Sequence, residues 1–457
     1  MNNLKFSALA LGLVFAWPAQ AQQQPAGNAS LMDELQALKT RMAELEKRLQ
    51  AAESNKGMTP EQQQEFNRIA VKTEALEDGR DAMGLKNLKI SGYIDPTFVA
   101  NKAQDRAGFQ FLNRIADGGY HYDNSYFGTA VVDFLKETDS GTRWRLTLAP
   151  NRGAGALLDL NSIVHEASVS LPLSDLQTRL IAGQMPDWSG YEYLPATQNK
   201  LVTHNLLFDF TLPVAYTGVG MDIARGKWQT KFMLANMNAT LRAPREKTPV
   251  LAYRVDYAKG EFNGFGLAGV HGKAANLAAD PSGPLPDSRV DTFEIDGYFI
   301  RGAWTVQGQL SVGRQKEAAI SVDPVTGAHR DARWWGASVL TAYKFTPTLE
   351  GVLRGDLLSN RRNGGGLLGY AVADDRNGIG PGWAYDSTTG TWSQPDTERG
   401  AQRYALSVGA VYNFNLNTTF KLEYRMDFAD TAVFFDTRSN GYRKNNQVLG
   451  GAMVVSF

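Results

Sequence analysis

The sequence predicts an all-β transmembrane barrel of about 16 antiparallel strands, preceded by an N-terminal helical coiled-coil segment. Three observations support this prediction. Apolar and polar residues alternate in almost every segment after Lys86, short turns alternate with long loops, and the first residues have the pattern of an export signal. The chain is predicted to consist of four segments, residues 1–21, 22–57, 58–85 and 86–457.

Composition excludes several classes of protein. The chain has 457 residues, no cysteine, and 47 basic against 47 acidic residues. A neutral chain has no overall attraction to nucleic acid, and without cysteine a disulfide scaffold, a zinc ribbon or an iron–sulfur cluster is excluded. It also has no run of about 20 apolar residues, which excludes a helical transporter.

Residues 1–21 are predicted to be a secretory signal peptide. Lys5 supplies the basic start, residues 6–17 are apolar, and Ala19-Gln20-Ala21 ends the segment with the small-x-small pattern of a cleavage site. We therefore expect an exported bacterial protein whose mature chain begins at Gln22.

Residues 22–57 are predicted to be a polar leader followed by a periplasmic coiled coil. The apolar residues recur in alternating steps of four and three, as the seam of a coiled coil does. The seam consists of Leu31, Leu35, Leu38, Met42, Leu45 and Leu49. Charged flanks of mixed sign favour self-association over a single helix packed on the protein's own body.

Residues 58–85 are predicted to form a second helix, over 60–78, and a linker. Thr59-Pro60-Glu61-Gln62 is a helix start signal. The inward positions of the last strand are small or apolar: Val448, Gly450, Ala452, Val454 and Ser456. One hypothesis is that the helix folds into the periplasmic mouth and covers them. The alternative is a stalk that continues the coiled coil.

From residue 86 to 457 about sixteen segments alternate with period two, as strands do. A soluble sandwich would show the same periodicity, so three further features decide between a sandwich and a transmembrane barrel. Turns and long loops alternate, aromatic residues follow the short turns, and the chain ends in Phe457 on an alternating strand. The aromatic residues are Trp144, Trp228, Phe262 and Trp304. Phe457 resembles the signal that the outer-membrane barrel-insertion machinery reads, so that machinery is an expected partner.

The signal peptide, the coiled coil, Leu-Lys-Ile-Ser-Gly-Tyr at residues 88–93 and the terminal Phe together resemble the trimeric proteobacterial outer-membrane porins. Within these, the chain is most similar to a poorly characterised group related to phosphate-selective porins. The resemblance implies a homotrimer of sixteen-stranded barrels in the outer membrane. It also implies a constriction loop between the fifth and sixth strands, here about residues 186–211.

Pore-lining candidates come from that loop and from the polar strand faces. The loop candidates are Asp187, Glu192, Lys200, His204 and Asp209, and the strand candidates are Arg145, Arg254, Glu294, Asp296, Arg354, Glu423 and Arg425. The alternative is a loop that lies on the outer rim. A phosphate-selective channel needs a row of fixed positive charges at its constriction, and Lys200 alone does not supply one. The sequence therefore predicts modest ion selectivity rather than a phosphate channel.

An enzyme is not predicted, nor is a cofactor or a metal. His165 and Ser168 are the only close histidine–serine pair on a strand, and period-two alternation predicts that they point apart. Two functions remain open. One is a pore for small hydrophilic solutes or ions in contact with outer-membrane lipid and lipopolysaccharide, and the other is a barrel adhesin or envelope anchor without an open pore.

Overall fold

The structure is a computed structural model that describes residues 60–82, 84–113, 127–151, 154, 162–237, 247, 249–276, 287–319, 322–323, 325–362 and 378–457. The chain divides into two compact units, residues 1–86 and 87–457, and each is described by itself. The predicted signal peptide and the coiled-coil seam from Leu31 to Leu49 lie outside the described residues.

The described part of the first unit contains helix α1, Pro60–Ala82, where a helix over 60–78 was predicted. It begins at the proline, whose fixed φ suits the first helical position. Within the residues described, no helix combines the length and the apolar content needed to cross a membrane. A plug or stalk role for α1 stays a prediction.

The second unit contains twenty-two described strands, a short 3₁₀ helix at Ala196–Gln198 and helix α2 at Leu206–Thr211. The strands are β1 Leu88–Ile94, β2 Thr97–Asn101, β3 Arg106–Gln110, β4 Ala130–Glu137, β5 Arg143–Leu148, β6 Val164–Asp175, β7 Thr178–Pro186, β8 Ala215–Arg225, β9 Trp228–Met237, β10 Val250–Gly260, β11 Asn263–Ala275, β12 Asp287–Arg301, β13 Trp304–Gln315, β14 Ala332–Lys344, β15 Leu349–Arg362, β16 Ala384–Asp386, β17 Thr391–Ser393, β18 Gln402–Asn413, β19 Thr418–Ala429, β20 Phe434–Asp436, β21 Gly441–Arg443 and β22 Asn445–Ser456.

Eighteen of these strands form one antiparallel sheet that closes on itself. Strands β1 and β2 follow one another along one line, interrupted at Pro96, which lacks the N–H that a ladder needs. Strands β3 and β4 share the next line, since β3 pairs with β2 and β4 pairs with β1. The ring therefore has sixteen positions, and β22 closes it by pairing with both β1 and β2. The predicted sixteen-stranded antiparallel barrel is confirmed.

The two faces of the barrel wall are opposite to those of a soluble sandwich. On β12, Phe293 and Ile295 are 43% and 39% exposed, whereas Glu294 and Asp296 between them are 3% and 7% exposed. β19 shows the same alternation of exposed apolar and buried charged residues. Apolar side chains thus face outward and charged side chains face inward, which is the arrangement of a barrel in lipid.

The two ends of the barrel also differ. Turns of a few residues join β4 to β5, β8 to β9 and β12 to β13, whereas the longest connection, residues 363–401, carries the hairpin β16–β17. At the short-turn end, Trp228 packs on Tyr257 and Trp304 packs on Tyr343, each with ring centroids 4.7 Å apart. Both tryptophans are about half exposed on the outer face.

Candidate pore and the loop inside the barrel

Residues 187–214, called the inner loop below, connect β7 to β8 and lie inside the barrel. These two strands occupy the fifth and sixth positions of the ring. The loop crosses to β14 and β15 on the other side, where the Tyr191 hydroxyl lies 2.6 Å from Ser338 Oγ. Lys200 Nζ also lies 2.7 Å from Glu350 Oε2. The loop therefore spans the lumen rather than lying on the rim.

Helix α2 fixes the far end of the inner loop. Asn205 caps it, because its Oδ1 accepts a hydrogen bond of 2.8 Å from the amide of Phe208. Leu207 is fully buried against the wall and sits over Gly336 of β14, where an added Cβ would lie 2.3 Å from Leu207 Cδ2. A glycine at this inward position is what lets the helix approach the sheet.

The inner loop also covers the small inward residues of the last strand. Val202 lies over Gly450, where an added Cβ would lie 3.3 Å from Val202 Cβ. Ala196 packs against the cluster that includes Val454. The apolar face of β22 that motivated the plug hypothesis for α1 thus has a partner within the barrel itself.

A buried arginine of β15 holds the backbone of the inner loop. Arg354 has no exposed surface and pairs with Glu192 Oε1 at 2.9 Å and Asp356 Oδ2 at 3.1 Å. It also donates to the carbonyl oxygens of Thr203 at 2.7 Å and His204 at 2.9 Å. Burial raises the pKa of Glu192 to about 7, and the charge of Arg354 opposes that rise. Several partners are needed because a buried charge without them is costly.

Strand β19 holds the same turn of the loop from the other side. The carboxylate of Glu423 accepts hydrogen bonds from the amides of Val202 at 2.9 Å and Thr203 at 2.7 Å. Arg425 donates from Nη1 to the carbonyl oxygen of His204 at 2.7 Å. These wall charges bind the loop and are fully buried.

The imidazole of His204 is part of the packing. Its Nε2 lies 2.8 Å from the carbonyl oxygen of Tyr193, so that nitrogen donates, and its ring stacks on Phe208 with centroids 4.1 Å apart. Burial lowers the pKa of His204 to about 3, and the nearby charge of Arg354 lowers it further. The ring is therefore neutral.

The remaining candidates divide between buried positions and one open space. Asp209 is 1% exposed in α2, Glu294 is 3% exposed on β12, and Arg254 pairs with Asp296 at 2.7 Å. Ten of the twelve sequence candidates thus lie away from the cavity between the inner loop and the barrel wall. These ten are Glu192, Lys200, His204, Asp209, Arg254, Glu294, Asp296, Arg354, Glu423 and Arg425. Arg145 and Asp187 line that space.

A cavity of about 600 Å³ lies between the inner loop and the wall formed by β1, β4, β5, β6, β7, β9 and β22. Its wall side carries polar and charged groups: Asp133, Arg145, Thr147, His165, Glu166 and Lys231. Its loop side is largely apolar and aromatic: Trp188, Tyr193, Leu194, Pro195, Phe208, Pro213 and Val214. A solute in this space meets charge on one side and rings on the other.

The charged side of the cavity has an arginine between two carboxylates. Arg145 is 47% exposed, and it lies 2.8 Å from Asp133 Oδ1 and 3.5 Å from Glu166 Oε2. Thr147 and Ser168 donate their hydroxyl protons to these two carboxylates, at 2.5 and 2.6 Å. Asp133 and Lys231 were not singled out from the sequence, although alternation places both inward.

The structure corrects the expected direction of His165. The register of β5 and β6 shifts between Thr147, which pairs with Glu166, and Leu148, which pairs with Val164. His165 therefore has no partner on β5 and is the extra residue of a bulge. His165 therefore lines the cavity beside Glu166. Its Nδ1 accepts a hydrogen bond from the amide of Ala154 at 3.1 Å, and Ser168 donates to Glu166 instead. The described residues contain no cluster of three or more potential metal ligands.

These features define a closed sixteen-stranded barrel whose lumen is narrowed by an internal loop. By sequence, the chain belongs to the family described as "Protein of unknown function (DUF3138)", whose profile matches residues 59–457. A comparison with curated proteins finds no match.

Solved structures with a similar fold are outer-membrane proteins of low sequence identity. A loop L8 deletion mutant of OmpT from Vibrio cholerae is 11% identical, with a TM-score of 0.47 over 81% of this chain and 99% of that one. An anion-selective porin from Comamonas acidovorans is 10% identical, with a TM-score of 0.47 over 81% and 99%. OmpF from Salmonella typhi, in complex with daunomycin, is 14% identical, with a TM-score of 0.49 over 81% and 97%.

Proposed function

We propose that the protein is a porin of the bacterial outer membrane, which forms a water-filled channel for passive diffusion of small hydrophilic solutes or ions. The observation that carries this proposal is the cavity of about 600 Å³ beside the inner loop, where Arg145 is 47% exposed. A charged side chain inside a barrel with an apolar outer surface needs water around it, and a sixteen-stranded ring is wide enough to hold that water.

The membrane placement rests on the outer surface. Exposed apolar residues such as Phe293 and Leu422 form the outer face, and half-exposed tryptophans follow the short turns. Aromatic rings are favoured where a barrel leaves the hydrocarbon for the interface. We place the short turns and the predicted coiled coil in the periplasm and the long loops outside the cell, with the homotrimer as the assembly.

The channel is proposed to discriminate weakly among ions. The cavity is lined by three carboxylates, Asp133, Glu166 and Asp187, against the two cations Arg145 and Lys231, so the charges of the two signs nearly balance. A channel selective for phosphate would need several fixed positive charges without such partners. We expect simple anions and cations to differ less than about tenfold in permeability.

Planar-bilayer conductance of the purified full-length protein tests the proposal. Discrete conductance steps from folded, strand-rich protein are expected, and the same preparation denatured before addition is the control. Folded protein that inserts into the bilayer without conducting would overturn the porin and leave the adhesin or envelope anchor.

A further inference from the structure

The charged side chains on the wall of the cavity do not hold the inner loop. Elsewhere in the barrel, wall charges that face the loop are buried and bond to its backbone, as Arg354 does at the carbonyl oxygen of Thr203. Within the part of the chain that the structure describes, four charged side chains around the cavity make no hydrogen bond or ion pair with the loop. These four are Asp133, Arg145, Glu166 and Lys231. They line the cavity and are available to a solute inside it.

The two cations have hydrogen-bond donors that the described residues leave unused. Arg145 donates from Nε to Asp133 Oδ1 at 2.8 Å, which is its one hydrogen bond within those residues. Lys231 Nζ lies 3.9 Å from Asp222 Oδ2, too far for a hydrogen bond, and its side chain is 32% exposed. A guanidinium has five N–H donors and an ammonium has three. Both cations can therefore bind a carboxylate in the cavity.

The two carboxylates likewise have acceptor positions to spare. Asp133 Oδ1 accepts hydrogen bonds from Arg145 and Thr147, whereas its Oδ2 accepts none from the described residues. Glu166 accepts one from Ser168, although an ionised carboxylate has about four acceptor positions. Asp133 and Glu166 both pair in register with Thr147, so they lie on either side of β5. An ammonium group placed there meets negative charge from two strands.

This arrangement of charge selects against solutes of one sign. Arg145 lies between two carboxylates, so an anion that binds Arg145 is also repelled by them. A cation at the carboxylates is repelled by Arg145 for the same reason. A zwitterion carries both charges on neighbouring groups and can place each beside its opposite, which avoids the cost of like charges side by side.

The inner loop faces these charges with aromatic rings that are held in place. Trp188 packs on Tyr216 with ring centroids 4.8 Å apart, and Phe208 stacks on His204 at 4.1 Å. Tyr193, the third aromatic ring of the loop that lines the cavity, is 43% exposed. Aromatic groups stack on such rings and bury apolar area against them. The loop side of the cavity therefore suits a flat apolar group.

We propose that the cavity binds a zwitterionic solute with an aromatic ring, the chemistry of a free aromatic amino acid. The carboxylate meets Arg145 and Lys231, and the ammonium group meets Asp133 and Glu166. The ring of the solute lies against the aromatic side chains of the inner loop. A cavity of about 600 Å³ lies within the size range of small-molecule sites and can hold such a solute together with water. As a solute class for the channel, the inference rests on the proposed function.

Four related ligands on the wild-type protein test the solute class. L-Tryptophan carries both charges and a ring, tryptamine lacks the carboxylate, indole-3-propionate lacks the ammonium group, and L-alanine lacks the ring. Binding to folded, detergent-solubilised full-length protein is measured by equilibrium dialysis at neutral pH. L-Tryptophan is expected to bind with a millimolar dissociation constant. The other three are expected to bind at least about tenfold more weakly, because each leaves one part of the site unpaired.

A matched pair of variants locates the site. Lys231→Met removes the ammonium donor, keeps most of the side chain, and is expected to weaken L-tryptophan binding at least about fivefold. Lys227→Met removes the same charge from the exposed turn between β8 and β9, outside the cavity, and should leave binding unchanged. The ligand series uses wild-type protein, so it tests the proposal even if Lys231→Met does not fold.

Other outcomes would overturn the aromatic zwitterion. Tryptamine or indole-3-propionate that binds as tightly as L-tryptophan would show that both charges are not needed, and equally tight L-alanine would exclude the rings. An equal loss in the Lys231 and Lys227 variants would place L-tryptophan outside the cavity. Conductance is recorded separately. Protein that conducts without binding L-tryptophan keeps the porin and loses this site, whereas protein that binds L-tryptophan without conducting loses the porin.

Discussion

At the scale of single residues, Arg145 decides the charge of the cavity. It is the half-exposed cation between Asp133 and Glu166, and its removal leaves both carboxylates facing the solute path. We expect Arg145→Ala to shift the reversal potential in a KCl gradient toward cation preference, by at least about twofold in permeability ratio.

Lys259→Ala is the matched control for Arg145→Ala. Lys259 is exposed at a short turn away from the cavity, and the substitution removes the same charge. A shift of equal size in both variants would mean that net charge acts at long range, and that the solute path does not pass Arg145.

The buried imidazole of His204 is expected to make the stability of the folded inner loop depend on pH. Its pKa is lowered to about 3 in the folded protein, first by burial and then by Arg354, Lys421 and Arg425 nearby. In the unfolded chain an imidazole titrates near 6.5. A lowered pKa contributes stability that is present above about pH 6.5 and is lost as the pH falls toward 3. The loss between pH 6.5 and 4.5 is roughly 2 kcal/mol.

His204→Gln isolates this effect, because glutamine keeps a donor for the Tyr193 carbonyl but does not titrate. Thermal unfolding at pH 7.5 and 4.5 is expected to show a larger fall in midpoint for wild type than for the variant. Equal falls in the two proteins would assign the acid sensitivity to other groups.

At the scale of elements, close packing against the wall holds the inner loop. Gly450 points inward and Gly451 points outward on the same strand, and only the first faces the loop, at Val202. Gly450→Leu is expected to push the loop off β22 and to destabilise the barrel by about 1–3 kcal/mol through overpacking. Single-channel recordings should then show altered conductance and more current noise.

Gly451→Leu is the control for Gly450→Leu. An added Cβ at Gly451 has its nearest neighbour at 3.8 Å, an ordinary contact, so a side chain there extends from the outer face of the barrel. Conductance that changes equally in both variants, or in neither, would contradict a loop positioned by β22.

At the scale of the whole molecule, the assembly is predicted to depend on the N-terminal seam. Leu35→Asp with Leu45→Asp places charges at buried seam positions, so SDS-resistant trimers should weaken or disappear. Thr40→Asp with Lys47→Asp introduces the same side chains on the side of the helix opposite the seam and should leave the assembly intact. Trimers that survive the first double substitution unaltered would show that contacts between barrels suffice.

The sixteen strands and the two faces of each strand could be predicted from the sequence because alternation is a local property, whereas the direction of the faces was predicted from the asymmetry of turns and loops, the aromatic residues after the short turns and the terminal Phe457. Alternation with period two assigns each side chain to one face within a few residues, as in Phe293–Asp296 on β12. His165 is an exception, since one bulge residue reverses the alternation and leaves no signal in the pattern.

Which inward charges face the solute was decided by the tertiary structure. Alternation places Arg354 and Asp133 on the same inner face, but it does not say what covers them. The inner loop covers Arg354 and leaves Asp133 open, through contacts such as that of Lys200 with Glu350, 150 residues apart. Such contacts depend on the fit of side chains from distant strands, for which one strand's sequence carries no periodic signal.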